Sequence, residues 1–318
     1  MMRDAILNFP KQFKYRPKIE NGPVKKYKRY VVAGMGGSHL AADILKSLKP
    51  DLDLTVHMDY GLPEKDLQKT LVIASSYSGN TEETIDAFEQ ARNKGSALAA
   101  VASGGKLIEL AVQHKVPYIL LPQAVSEPRM ALGLSLRALL KLTKQNEFLK
   151  ESALLIKILK PQELELQGRA LAEKIKGKVP VIYASARNEA VAYNWKIKFN
   201  ETGKIPAFCN VLPELNHNEI NGFDIKEATK SLGTWAHFIF LKDSEDHPRN
   251  QKRMEITAKL YQERGLPVEV IELSGDSRLE QIFKSLLLAD WTAIYTAQNY
   301  GLKPEGQPMV DEFKKLII

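Results

Sequence analysis

TLVIASSYSGNTEET, residues 70–84, joins an apolar run to a cluster of small hydrogen-bonding side chains and then to a helix start. Leu71–Ala74 carry no polar residue toward either side, the pattern of a strand buried on both faces of a parallel sheet. Behind the strand come Ser75, Ser76, Ser78 and Thr81 around Gly79, and Glu82 and Glu83 supply the acids that a helix N-terminus favours. Capping that helix takes one hydroxyl, and the stretch supplies several. In an open α/β sheet, ligands sit beyond the carboxyl ends of the strands. There, neutral hydroxyls and backbone N–H groups form a cage that recognises a phosphate monoester without a lysine or a metal.

Working outward, the same kind of strand recurs at YVVAGMG (30–36), ALAAVAS (97–103) and VPYILLP (116–122), with helix-length amphipathic segments between. A polar stretch from Asn146 to Lys178 then reads as one or two long helices interrupted at Pro161. After it the alternation resumes with VPVIYAS (179–185), AFCNVLP (207–213), HFIFLKD (237–243) and PVEVIELSG (267–275). The expected fold is α/β, with two domains that are each a parallel β-sheet flanked by helices in three αβα layers. Residues 1–150 would form the first domain, and residues 151–318 a helical connector and the second. No short-period repeat or low-complexity tail is present.

A second loop points the same way. VVAGMGGSHLAADIL (31–45) puts Gly34, Gly36, Gly37 and Ser38 between a buried strand and a helix, where backbone N–H groups can approach an anion. The dinucleotide fingerprint needs a third spaced glycine where His39 stands, and no G-x-x-x-x-G-K-[ST] occurs, so the expected ligand is a phosphate group rather than a nucleotide.

Composition removes other classes. The 318 residues, 44% of them hydrophobic, can bury two ordinary cores. The single cysteine, Cys209, excludes an internal disulfide framework and reads as a buried thiol in a reducing compartment, so the cytoplasm is expected. The N-terminus lacks the apolar core of a secretory signal, and no 18 apolar residues run together, which predicts a soluble chain without membrane contact. The net charge of +7 is scattered, with one cluster, KKYKR at 25–29. It suits an anionic small substrate better than nucleic acid. The six histidines form no H-x-H or H-E-x-x-H pair, so no metal site and no cofactor is expected.

GMGGS and SYSGNTEET resemble the two phosphate loops of the sugar isomerase (SIS) domain. With WKIKFNETGKIP (195–206), ELNHNEI (214–220), SEPRMALG (126–133) and GLKPEGQPMVDEFKKLI (301–317), the whole chain resembles the bifunctional phosphoglucose/phosphomannose isomerases, a family with two SIS domains. The resemblance implies an aldose–ketose isomerase that interconverts glucose 6-phosphate, and mannose 6-phosphate, with fructose 6-phosphate through an enediolate. It places Gly36, Gly37, Ser38, Ser76, Ser78 and Thr81 on the substrate phosphate. Glu201 is implied as the base that moves the C2 proton, chemistry suited to a partly buried carboxylate. His217 is implied as the ring-opening histidine, reaching its site from the neighbouring subunit of a homodimer, and an imidazole suits that step because its charge changes near neutral pH. Lys303 shares the ring-opening step, Arg129 stabilises the enediolate with a fixed cationic fork, and Thr296 admits the mannose epimer.

His39 departs from the family pattern, which more often has a small residue there. A large imidazole at that position can narrow the pocket, add a donor or turn away along the helix. SIS domains also serve as non-catalytic phosphosugar sensors, which need the cage but not a base and an enediolate clamp together. An amino-sugar phosphate enzyme is a further alternative, usually accompanied by an amidotransferase domain or a lyase-type site that the sequence does not show.

Overall fold

The computed structural model describes residues 1–64, 66–125 and 127–317. The chain divides into an N-terminal unit, Asn8–Ile158, and a C-terminal unit, Leu159–Ile318 together with Met1–Leu7. The first residues join the C-terminal unit through polar contacts: Met2 N–H donates to Glu305 Oε1 at 2.8 Å, and the Arg3 guanidinium forks onto both oxygens of Glu165 at 3.1 and 2.9 Å.

In the N-terminal unit five parallel strands, β1 (Arg29–Ala33), β2 (Leu54–His57), β3 (Thr70–Ser75), β4 (Ala97–Ala102) and β5 (Tyr118–Leu120), stand in the order β2-β1-β3-β4-β5. One face of the sheet, including Val31, Val72, Ala74 and Leu98, packs with Phe88, Ala91, Leu107 and Ala111 from the helices Glu82–Asn93 and Gly105–Gln113. The intervening residues Val32, Ile73 and Ala99 are equally buried, so both faces are covered, as the apolar runs require. Strand β2 is absent from the sequence reading. Only its first residue is fully buried, so Leu54-Thr-Val-His never shows a two-sided apolar run.

Four parallel strands build the C-terminal unit: β6 (Val179–Ser185), β7 (Phe208–Leu212), β8 (Ala236–Lys242) and β9 (Val268–Glu272), in the order β7-β6-β8-β9. Val181, Tyr183, Phe238 and Phe240 form one apolar face with Met254, Ala258 and Tyr261 of the helix Pro248–Glu263. The long helix Arg278–Asn299 is buried along most of its length and packs on Glu165–Lys174. The polar stretch expected as one or two long helices is broken into Asn146–Ser152, Leu155–Ile158, a 3-10 turn at Pro161–Leu164 and Glu165–Lys174. Pro161 interrupts it because proline supplies no N–H to the preceding turn. Cys209, expected buried, is half-buried, because β7 lies at the sheet edge. Among the described residues no helix is long and apolar enough to cross a membrane.

His237, on β8, is 3% exposed and neither ring nitrogen has a hydrogen-bond partner among the described residues. Burial pushes its pKa below the ordinary value of 6.5, so the folded state holds the ring neutral. The unfolded chain takes up a proton near pH 6.5 that the folded chain refuses. His237's contribution to stability is therefore complete above that pH and lost as pH falls toward the depressed folded value. We expect the midpoint of urea unfolding to drop between pH 8 and pH 5, and to drop less in His237→Phe. An equal drop in both proteins would show that His237 does not carry the acid sensitivity.

Candidate active site

In each sheet the chain runs to one side from a central strand and then returns to its other side, so a crevice opens at the carboxyl ends of β1 and β3, and of β6 and β8. The two crevices are furnished differently.

At β1 and β3 the crevice holds hydroxyls. Ser76 Oγ lies 2.8 Å from Thr81 Oγ1 and 3.5 Å from Ser78 Oγ, and it accepts the Gly79 N–H at 3.1 Å. Ser38, at the end of the 3-10 turn Gly36–Ser38, accepts the Tyr77 N–H at 2.9 Å, which ties the first loop to the second. Thr81 is the N-cap residue of Glu82–Asn93, yet its side chain caps no backbone N–H. The hydroxyl is turned into the cluster, and the helix end, with its positive partial charge, has no side-chain cap. Gly79 is required at the turn, since its φ is +75° and a Cβ would lie 1.8 Å from the Gly104 carbonyl oxygen. Ser38 and Ser76 are buried, Ser78 and Gly36 exposed, and Gly37 and Thr81 intermediate.

Arg129 joins this group from the 3-10 turn Pro128–Met130. Its backbone packs so closely on Gly37 that a Cβ there would sit 2.9 Å from the Arg129 nitrogen. The guanidinium is buried, with Nη1 donating to Glu127 Oε2 at 2.7 Å. His39 turns along its helix, with Nδ1 2.6 Å from Asp43 Oδ2 one turn on.

At β6 and β8 the protein fills the crevice with its own charges. Asp246 Oδ1 accepts from Ser185 Oγ at 2.6 Å, and Asp243 Oδ2 accepts from Asn188 Nδ2 at 3.0 Å and from Arg278 Nη1 at 3.0 Å. Asp243 is fully buried and Asp246 nearly so. Arg187 and Arg278 both face Asp243, so the carboxylates of this crevice are already paired with the protein's own cations.

The C-terminal unit carries the remaining chemistry. Helix Glu189–Lys198 continues into a π-helical turn, Phe199–Gly203, that ends where Lys204 adopts φ +59°. Such turns recur at functional sites because they break the regular ladder and redirect a side chain. Glu201 sits on this turn, half-buried, and its Oε2 accepts from Gln307 Nε2 at 2.7 Å. Lys204 Nζ donates to the Glu201 carbonyl at 2.6 Å and also to the Gly306 carbonyl, so the 301–307 connection is tied to the Glu201 turn twice. Lys303 lies in that connection, exposed. Thr296, buried on Arg278–Asn299, back-bonds to the Thr292 carbonyl at 2.8 Å, and its methyl lies 3.6 Å from where a Gly203 Cβ would stand. Glu201, Thr296 and the Lys303 connection are thus gathered in one unit. His217 ends the 3-10 turn Glu214–His217 in the same unit, exposed, its imidazole without a hydrogen bond among the described residues.

Residues 165–317 match the bacterial phosphoglucose isomerase C-terminal SIS domain. Over 98% of this chain and 98% of the relative, the sequence is 34% identical to a bifunctional phosphoglucose/phosphomannose isomerase of Caldicellulosiruptor bescii. The chain belongs to the bifunctional phosphoglucose/phosphomannose isomerase family. A D-glucosamine-6-phosphate 4-epimerase of Sulfolobus acidocaldarius is 29% identical over 92% of this chain and 90% of its own. The fold is shared with glucosamine-6-phosphate deaminase of Thermotoga maritima, at a TM-score of 0.68 and 14% identity, covering 96% of each chain.

Gln307 is a partner of Glu201 that reading the sequence does not find. It lies 106 positions from Glu201, and its only signal is membership of the GLKPEGQP stretch that also carries Lys303.

Proposed function

We propose that this chain interconverts glucose 6-phosphate and mannose 6-phosphate with fructose 6-phosphate. Ser38, Ser76, Ser78, Thr81 and the loop N–H groups of Gly36 and Gly37 hold the phosphate. His217, given by the partner subunit of a homodimer, and Lys303 assist ring opening, in which a proton moves from the C1 hydroxyl to the ring oxygen as the C1–O5 bond breaks. Glu201 then takes the C2 proton, the electron pair forms the C1–C2 double bond, and the charge gathers on O1, where Arg129 stabilises it. A proton then passes from the C2 hydroxyl to O1, and as the C2 carbonyl forms the abstracted proton returns to C1, which completes the ketose. Thr296 leaves room for either C2 configuration. A single half-buried thiol fits a cytoplasmic setting for this chemistry.

The observation that carries this reading is the Glu201 carboxylate, set on a π-helical turn and oriented by Gln307. A sensor has no use for a positioned base. Each hexose 6-phosphate, offered with and without a chelator, is expected to yield fructose 6-phosphate at a rate the chelator leaves unchanged. Tight binding of both without turnover would establish the sensor instead, and turnover confined to glucosamine 6-phosphate would make this an amino-sugar enzyme.

Ser78→Ala tests the cage. The phosphate does not react, so the lost hydrogen bond is missing equally in ground and transition states. A hydrogen bond to a charged group contributes about 1.5–3 kcal/mol, so KM should rise roughly ten- to hundredfold while kcat holds. An unchanged KM would remove Ser78 from the cage.

A further inference from the structure

We infer that Glu219 is a positioning residue for ring opening, the anchor that fixes the His217 segment to the sheet. The inference rests on the ring-opening role given to His217 above. Glu219 stands two residues beyond His217 and uses both carboxylate oxygens on the sheet: Oε1 accepts from the Tyr183 hydroxyl and Oε2 from Asn210 Nδ2. Tyr183 on β6 and Asn210 on β7 are direct partners in the parallel register, so one carboxylate clamps two adjacent strands.

Neither donor is free to move. Tyr183 is fully buried between Phe238 and Phe240, each 5.3 Å away, and its pKa is pushed far up, by burial first and then by Tyr261 and Glu219, so it remains a neutral donor. Asn210 Oδ1 accepts the Val211 N–H at 2.8 Å, which leaves its amide hydrogens to face Glu219.

On the other side of His217, Asn216 Nδ2 donates to Thr257 Oγ1 at 2.8 Å, and Leu215 is fully buried. The backbone of residue 217 is therefore pinned before and behind while the imidazole stands exposed. A general acid or base acts only from within hydrogen-bond reach, and a displacement of about 1 Å reduces rate roughly a hundredfold. The Glu219 carboxylate spends a hydrogen bond from each oxygen on the strands, as an anchor does.

The test separates ring opening from proton transfer. Fructose 6-phosphate must be opened, whereas 5-deoxyfructose 6-phosphate lacks the hydroxyl that closes the furanose and stays acyclic. Glu219→Ala and the shape-preserving Glu219→Gln are expected to lower kcat for fructose 6-phosphate, about a hundredfold for Ala and less for Gln, with KM held. C1 deuterium exchange of the 5-deoxy substrate should stay within about threefold of wild type. Equal loss on both substrates in the folded variants would make Glu219 merely structural, and full turnover of fructose 6-phosphate would remove it from the reaction; either result overturns the anchor. His217→Ala run alongside must show the same split. If it does not, the ring-opening role of His217 fails and the anchor with it, a result distinct from failure of Glu219 alone.

Discussion

Glu201→Gln is expected to lower kcat by about 10²–10⁴, the usual contribution of a positioned general base, while the hexose 6-phosphates continue to bind. The amide keeps the length of the side chain, and its carbonyl oxygen can still accept from Gln307 Nε2, which in the native protein lies 2.7 Å from Glu201 Oε2. What it loses is the capacity to take the C2 proton. The decisive measurement is deuterium entering recovered sugar phosphate from heavy water, which should stop in the variant. Exchange at the wild-type rate would move the base elsewhere. Of the neighbouring acids, Glu219 has both oxygens engaged by Tyr183 and Asn210, whereas Glu214 has one oxygen accepting from Asn218 Nδ2 at 2.9 Å, as Glu201 has from Gln307, and is the next candidate.

What the sequence made legible was local. The run Leu71–Ala74, the hydroxyls behind it and the acids of the following helix start lie within fifteen residues, and strand β3, its turn and its helix appear where that pattern puts them. Of the nine strands among the described residues, eight lie in the runs that the sequence singles out, while β2, an edge strand whose LTVH carries Thr55 and His57, does not. The partners that define the site are not local. Arg129 meets Gly37 from more than ninety positions away, and Gln307 meets Glu201 from more than a hundred. The charge network at β6 and β8 draws Arg278, Asn188 and Asp243 from three separate segments, each an ordinary surface type in isolation. Only the folded chain shows that one crevice is lined by hydroxyls and the other by the protein's own carboxylates and guanidinium groups.

Mixing two inactive variants is expected to restore activity if the partner subunit supplies His217. That imidazole is exposed, without a hydrogen bond among the described residues, on a segment whose backbone is fixed by Asn216 and Glu219, as suits a group presented outward. A closed two-fold dimer makes such an exchange reciprocal. A Glu201→Gln chain still presents an intact His217, and a His217→Ala chain still presents an intact Glu201. With free subunit exchange about half the dimers are mixed, each with one intact and one doubly damaged site, so the mixture should recover roughly a quarter of wild-type activity. Were both residues contributed by the same chain, every site in the mixed dimer would carry one lesion and nothing would be regained. Mixed dimers demonstrated by mass spectrometry, yet no more active than the two variants apart, would end the shared-site reading while leaving Glu201 as the base.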